Sequence, residues 1–409
     1  MARENISVGL DIGSTKVTTC VGKFEDNGVD IIGIGKAPNQ GMRKGAIVDI
    51  EETVSAISAS LEEAERMAGM PITSAVIGID GAHIESEDSK GVIAVSRADG
   101  EITETDIERV IEAARAIPNK PNREVLHVIP KTYIIDGRDG VKDPIGMQGI
   151  RLELDAHIIS TSTNAIKSTI KCVEQSGLTP VEVVFSPLAT SKLLLSKRQM
   201  EIGVVLIDIG SAGTSYAVFE EGDLISCGVI PIGSSHITND VAIGLRTSLD
   251  VAELLKIKHG YALPDKVAEK EEVRLSTFDK KDEGVASVRY VSEIIEARLN
   301  EILQIVQDKL KVIGRDGTLP AGVILTGGGA KIEGLVELTK ETLRLPAQIG
   351  TPLPEIKGLV DKLDDPVYAT SVGLMLWGQG SGHTRVFADT HNMSGALKRA
   401  RDFLKQFLP

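Results

Sequence analysis

The chain opens on an apolar run, Ile6-Ser7-Val8-Gly9-Leu10-Asp11-Ile12, which breaks at Gly13-Ser14-Thr15-Lys16 and resumes through Val17-Thr18-Thr19-Cys20-Val21-Gly22. Half the chain later the pattern returns: Val204-Val205-Leu206-Ile207-Asp208-Ile209, a break at Gly210-Ser211-Ala212-Gly213-Thr214, then Ser215-Tyr216-Ala217-Val218-Phe219. Both read as strand, tight Gly/Ser turn, strand. A repeat on this scale predicts two homologous lobes, each opening with a β-hairpin.

Between and beyond the hairpins the spacing changes. Asp49 and Glu52 form a helix start, Val54, Ile57, Leu61, Ala64 and Met67 follow at helical spacing, and Gly69 stops it. A strand is predicted over 75–79. From 83 to 163 acidic, turn-rich stretches surround one helix, read as capped by Thr105 with Glu108 three residues on and striped by Ile107, Val110, Ile111 and Ala114. Strands and helices alternate again from Ala165. A third stretch, 226–313, is mostly helical and ends in a long 3.6-period run over 288–310. Then come a strand over 322–325, the loop Gly327-Gly328-Gly329, a helix through Leu335 and Leu338, and a helix from Pro366 past Ala369, Ser371 and Gly373.

The predicted organisation is a first lobe over 1–82, rejoined by 164–192 and 366–380, with an inserted α/β subdomain at 83–163. The second lobe covers 193–225 and 314–365 and carries a helical subdomain at 226–313. A polar linker over 381–393 leads to an amphipathic segment at 394–409.

The length of 409 residues suits two or three domains. Aromatics are only 3%, so the core must be built from Ile, Val, Leu and Ala. A net charge of −13 argues against nucleic acid as a partner. Cys20, Cys172 and Cys227 stand far apart and read as buried thiols in a reducing cytoplasm. With neither a signal-peptide pattern nor a run of ~18 apolar residues, the expectation is a soluble protein, or one bound to a membrane from outside.

The chemistry gathers at the turns. Gly and Ser/Thr in a hairpin turn let backbone N–H groups converge on phosphate oxygens. Lys16 can reach a phosphate as a compact charge. Asp11 and Asp208, at their strand ends, are placed to hold Mg²⁺ through its retained waters. The strand–TGGG–helix element suits a nucleoside passing close to the backbone. Any one of these turns alone is an ordinary hairpin. The three together, in this order, point to a triphosphate clamped between two lobes.

At the far end, Leu397, Ala400, Phe403, Leu404, Phe407 and Leu408 fall within roughly 140° of a helix turning about 100° per residue. Lys398, Arg399, Arg401, Asp402, Lys405 and Gln406 fill the other side. This describes a helix lying in an anionic membrane surface. The plainer alternative is a helix docked on the protein's own core or on a partner.

With these motifs the chain resembles the actin, Hsp70 and sugar-kinase ATPases, and within them the bacterial FtsA cell-division family over essentially its full length. The marks are Gly41-Met42-Arg43-Lys44-Gly45, Pro144-Ile145-Gly146-Met147-Gln148-Gly149-Ile150-Arg151-Leu152-Glu153, Leu325-Thr326-Gly327-Gly328-Gly329-Ala330-Lys331-Ile332, and the basic amphipathic terminus. The resemblance implies an α/β, actin/Hsp70-like two-lobed ATPase fold and an ATP- and Mg²⁺-binding assembly protein. Such a protein would polymerise, tie the FtsZ ring to the cytoplasmic face of the inner membrane at the division site, and recruit other division proteins. The implied nucleotide set is Asp11, Gly13, Ser14, Thr15, Lys16, Asp208, Gly210, Ser211, Gly213, Thr214, Gly233, Gly327, Gly328 and Gly329, with Arg246, Glu253 and Lys256 flanking the adenosine. It also implies that the helical subdomain captures the FtsZ C-terminal peptide, with Arg298 as a contact.

One position departs from the hydrolysing members. Ser186, in Val184-Phe185-Ser186-Pro187, stands where they carry a water-orienting Glu or Gln. A hydroxyl is a far weaker base, so fast turnover is not expected. A sugar kinase would need such a carboxylate and a sugar pocket, and an Hsp70-type chaperone a long substrate-binding domain. Another actin-like scaffold is the remaining alternative, and the Gly146-to-Glu153 stretch argues against it.

Overall fold

The two hairpins form and seed two sheets of the same topology. In this computed structural model, which describes residues 6–25, 28–116, 120–353, 356–358 and 364–379, Ile6–Ile12 pairs antiparallel with Lys16–Glu25, and Val204–Ile209 with Thr214–Glu220. Each hairpin gains a further antiparallel strand, Gly28–Pro38 in one lobe and Asp223–Ile230 in the other. Each then grows on its other side by parallel strands. In the first lobe these are Ser74–Ile79 and Thr179–Phe185; in the second, Gly322–Thr326 and Ala347–Ile349. The strands Val204–Ile209 and Gly322–Thr326 are almost entirely buried, as parallel strands covered on both faces must be.

The helix Ile50–Ala68 has the predicted ends. The Asp49 carboxylate accepts from the Glu52 N–H at 3.1 Å, and Gly69 closes it in the left-handed region, where an L side chain would be strained. Its buried residues Ile57, Leu61 and Ala64 pack on the first sheet. The insert is a four-stranded antiparallel sheet with the helix Glu104–Ala116 on one face and its own small core of Ile107, Val110, Leu152 and Leu154. That helix starts two residues earlier than read from the sequence. Thr103 is the cap, its N–H and hydroxyl donating to the Asp106 carboxylate at 3.0 and 2.8 Å, and Thr105 lies inside the first turn. Thr-x-x-Asp and Thr-x-x-Glu overlap here, and the shorter Asp makes the reciprocal bonds.

On the second lobe sit the helices Ser234–Leu245, Leu249–His259 and Val288–Val312. The long one buries Val291, Ile295, Leu299, Leu303, Val306 and Leu310 along one side.

Two predicted boundaries need correction. Residues 226–230 belong to the strand Asp223–Ile230 of the second sheet, not to the helical subdomain, because pairing with Thr214–Glu220 satisfies their backbone. Residues Ile356–Lys357, placed in the second lobe from sequence, cross over and pair with Val29 and Asp30 at the edge of the first sheet. The linker at 381–393 and the amphipathic segment at 394–409 lie outside the described residues.

The helices Ser186–Leu194 and Ala369–Trp377 pack directly on each other. A Cβ on Gly373 would stand 2.3 Å from the Ala189 carbonyl oxygen, so the two backbones touch. Ser186 and Thr370, in the first turns of these helices, reach the floor of the cleft between the lobes.

Candidate functional site

The two turns face one cavity of about 1010 Å³. They close with equivalent bonds, Gly13 N–H donating to Lys16 O at 3.0 Å and Gly210 N–H to Gly213 O at 2.9 Å. Each is braced from behind. Asn39 Nδ2 donates to Gly13 O at 2.8 Å, while the Ser235 N–H and hydroxyl donate to Ser211 O at 3.0 and 2.8 Å. The second brace sets the N-terminus of the helix Ser234–Leu245 against the turn, adding a positive dipole end where anions are expected.

Three carboxylates and Lys16 line the cavity floor. Burial, then the neighbouring Asp208, pushes Asp11 up from 3.8 to about 7, with Lys16 pulling the other way. Asp80 is pushed to about 7 by the same two causes, and burial raises Asp208. Burial lowers Lys16. The Thr370 hydroxyl donates to Asp208 Oδ2 at 3.3 Å. The floor thus holds more negative than positive charge in a poorly solvated place, which suits an added cation. Among the described residues no group of three His, Cys, Asp or Glu side chains could hold a metal ion by itself. Magnesium fits such a set with waters and phosphate oxygens completing its shell.

The glycine triplet plays two roles. Gly327 has φ 84°, and a Cβ there would stand 2.2 Å from Asp208 Oδ1; one on Gly329 would stand 2.4 Å from Ile209 Cγ2. Both seat the loop against the protein itself. A Cβ on Gly328 would meet only Lys16 Nζ, at 3.6 Å, so Gly328 is the residue that leaves space in the cavity.

Of the residues singled out from sequence, Asp11, Gly13, Ser14, Thr15, Lys16, Asp208, Gly210, Ser211, Gly213, Glu253, Lys256 and the glycine triplet line this cavity. Lys256 is buried and spent inside the wall, donating to Glu253 Oε2 at 2.7 Å, Thr238 Oγ1 at 2.9 Å and Ser234 O at 3.2 Å. Three others stand apart from the lining. The buried Thr214 hydroxyl turns away to Ile232 O at 2.8 Å. Gly233 packs behind the turn, where a Cβ would meet Ser211 O at 2.5 Å. Arg246 is the left-handed cap of its helix, at φ 55°. Arg298 is on the helical subdomain, away from the cavity and already paired with Asp240 and Glu301. Asp80 was missed. Its only local signal is an Asp-Gly pair after a strand, which reads as a turn.

Residues 205–373 match the family model for cell division protein FtsA, and 81–160 that for the SHS2 domain inserted in FtsA. A cell division protein FtsA of Pseudomonas aeruginosa is 39% identical over 372 residues, covering 91% of this chain and 88% of that protein. The chain belongs to the FtsA family. The FtsA of Escherichia coli K12 is 35% identical over 412 residues, 98% of this chain and 97% of its own length. FtsA membership makes this a cell-division protein, as the motifs at 41–45, 144–153 and 325–332 implied. The fold of this FtsA chain is the expected actin-like α/β architecture. A PilM–PilN type IV pilus biogenesis complex superposes with a TM-score of 0.69 at 17% identity, covering 91% of this chain and 98% of that one. MreB5 of Spiroplasma citri bound to ADP superposes with a TM-score of 0.53 at 12% identity, covering 91% and 95%.

Proposed function

We propose that this chain binds ATP with Mg²⁺ between its lobes and in that state polymerises, tying the FtsZ ring to the inner face of the cytoplasmic membrane and recruiting other division proteins. The observation that carries the nucleotide reading is the pair of turns, closed by matching hydrogen bonds and facing Gly328 across a floor of Asp11, Asp208 and Lys16. Backbone N–H groups and Lys16 suit phosphate oxygens, and the two acids suit a hydrated divalent cation. The neighbour of the same fold that holds ADP supports this reading.

Membrane attachment rests on the sequence of 394–409. Its large apolar side chains are worth roughly 1.5–3 kcal/mol each when fully buried, and less at an interface. Ordering the segment costs about 1–2 kcal/mol per residue, less what the helix hydrogen bonds return. Each Lys or Arg near an anionic leaflet adds about 1 kcal/mol. The net is small for one tail and large for a filament presenting many, so polymerisation and membrane attachment reinforce each other.

Electron microscopy on anionic lipid monolayers tests the whole reading. Filaments should form on the lipid with ATP and Mg²⁺ and be lost when either is withheld. Protein that binds no nucleotide, or that coats lipid identically without it, overturns the reading.

A further inference from the structure

Beside the paired Asp11 and Asp208 the cleft holds an acid that the duplication does not explain. Asp11 and Asp208 occupy matching places, each near the end of a hairpin's first strand. Asp80 has no such twin. In the first lobe Leu10 pairs with Ile77, and continuing that register sets Asp80 beside Gly13. In the second lobe Asp208 pairs with Thr326, and the same step sets Gly328 beside Gly210. The lobes are alike in backbone here, and one carries a carboxylate where the other carries open space. Lys16 pulls Asp11 and Asp208 down, whereas the neighbouring Asp208 and Asp11 push Asp80 up.

Asp80 also stands beside an orphaned hydroxyl. Ile79 pairs with Phe185, so Asp80 and Ser186 are the next residues of adjacent parallel strands, leaving the sheet at the same end. Ser186 is 3% exposed, and its Oγ has no hydrogen-bond partner. A buried polar atom without a partner calls for an explanation, and a water or ligand in the cavity supplies one. A Cβ on Gly78 would stand 3.0 Å from Ser186 Oγ and 3.6 Å from Asp11 Oδ1, so the hydroxyl and that acid flank one point of the sheet. Asp80 Oδ1 accepts from the Gly81 N–H at 2.8 Å and the Ser215 hydroxyl also bears on the carboxylate, which orients it and still leaves acceptor positions for a water.

We propose that Asp80, with the Ser186 hydroxyl, holds and activates the water that hydrolyses the bound nucleotide. The inference rests on the ATP reading above. The Ser186 O–H donates to the water oxygen, and Asp80 accepts one of its protons. As that proton moves to Asp80, the water oxygen bonds to the terminal phosphorus and the bond from phosphorus to the bridging oxygen breaks. Its electron pair leaves on the diphosphate, and the proton passes from Asp80 to the released phosphate. The carboxylate absent at position 186 is thus supplied from the adjacent strand.

The test uses full-length protein on anionic vesicles with ATP and Mg²⁺, following phosphate release and, separately, binding of a fluorescent ATP analogue. Asp80→Asn should lower phosphate release about 100-fold, the usual scale of a lost general base, with nucleotide affinity unchanged. Adding Ser186→Glu to that variant should restore release, which a merely structural role would not allow. Asp80→Ser serves if the Asn variant melts early. Wild-type release in both Asp80 variants overturns the proposal. So does equal loss of binding and release, which makes Asp80 a cation-holding residue, and so does wild-type protein that binds ATP but releases no phosphate. Wild-type protein that binds no ATP fails the functional reading itself, and the proposal with it.

Discussion

Arg298 grips Asp240 with two prongs, Nε at 2.7 Å from Oδ2 and Nη2 at 3.0 Å from Oδ1. The pair joins the helix Val288–Val312 to Ser234–Leu245, and Glu301 takes the remaining Nη1. An acidic peptide docking on this arginine must compete with a carboxylate already in place. Asp240→Asn should therefore raise affinity for the FtsZ C-terminal peptide about fivefold, the equivalent of about 1 kcal/mol for a part-exposed pair, and Arg298→Ala should lower it. Peptide titration by fluorescence anisotropy checks both. Unchanged affinity in the two variants removes Arg298 from the contact.

The glycine triplet separates binding from folding. Gly328→Val should block nucleotide while the protein melts normally, since its side chain would enter the cavity beside Lys16. Gly327→Val should lower the melting temperature as well, because its Cβ would meet Asp208 Oδ1 at 2.2 Å and its φ of 84° disfavours a β-branched residue. Calorimetric titration alongside thermal melts distinguishes the two. A Gly328→Val protein with wild-type nucleotide affinity contradicts the placement.

The buried acids make stability without ligand depend on pH in a stated direction. Asp11 and Asp80 titrate near 7 in the folded chain instead of 3.8. Between those values the folded chain keeps protons that the unfolded chain has released, so stability falls as pH rises through this window. Nucleotide-free protein should melt higher at pH 5 than at pH 8, and Asp11→Asn should flatten that slope. Magnesium and ATP should recover much of the loss at pH 8. Melting curves across pH, with and without ligand, decide it.

Phe403→Glu with Phe407→Glu should release the protein from anionic vesicles and leave nucleotide affinity intact. The change places two charges in the apolar arc and lowers the net basic charge of the segment. Sedimentation with vesicles reads it, and a double variant that still pellets shows that 394–409 is not the anchor.

What the sequence revealed was local. The hairpins, the Asp49 cap and the glycine triplet are each written within a few adjacent residues, so periodicity and turn chemistry find them. Thr103 and Thr105 were confused because both offer a hydroxyl three residues before an acid, and only side-chain length separates them. The edge strand Ile356–Lys357 was invisible for another reason: its partner lies over 300 residues earlier, at Val29. Asp80 was missed because a lone acid after a strand carries no pattern. Its neighbourhood with Asp11, Asp208 and Ser186 exists only once the strands are laid side by side.

The contact at Gly373 has a mechanical consequence. Where two helices meet through interlocked side chains, sliding must lift one row of knobs over another. Here Gly373 offers no knob, and around it the helices carrying Ser186 and Thr370 meet backbone to backbone, with Thr190 Oγ1 donating to Thr370 Oγ1 at 3.3 Å across the same contact. A side chain at 373 would set a knob on that bare stretch, and any sliding of the helices that carry the cleft residues Ser186 and Thr370 would have to lift over it.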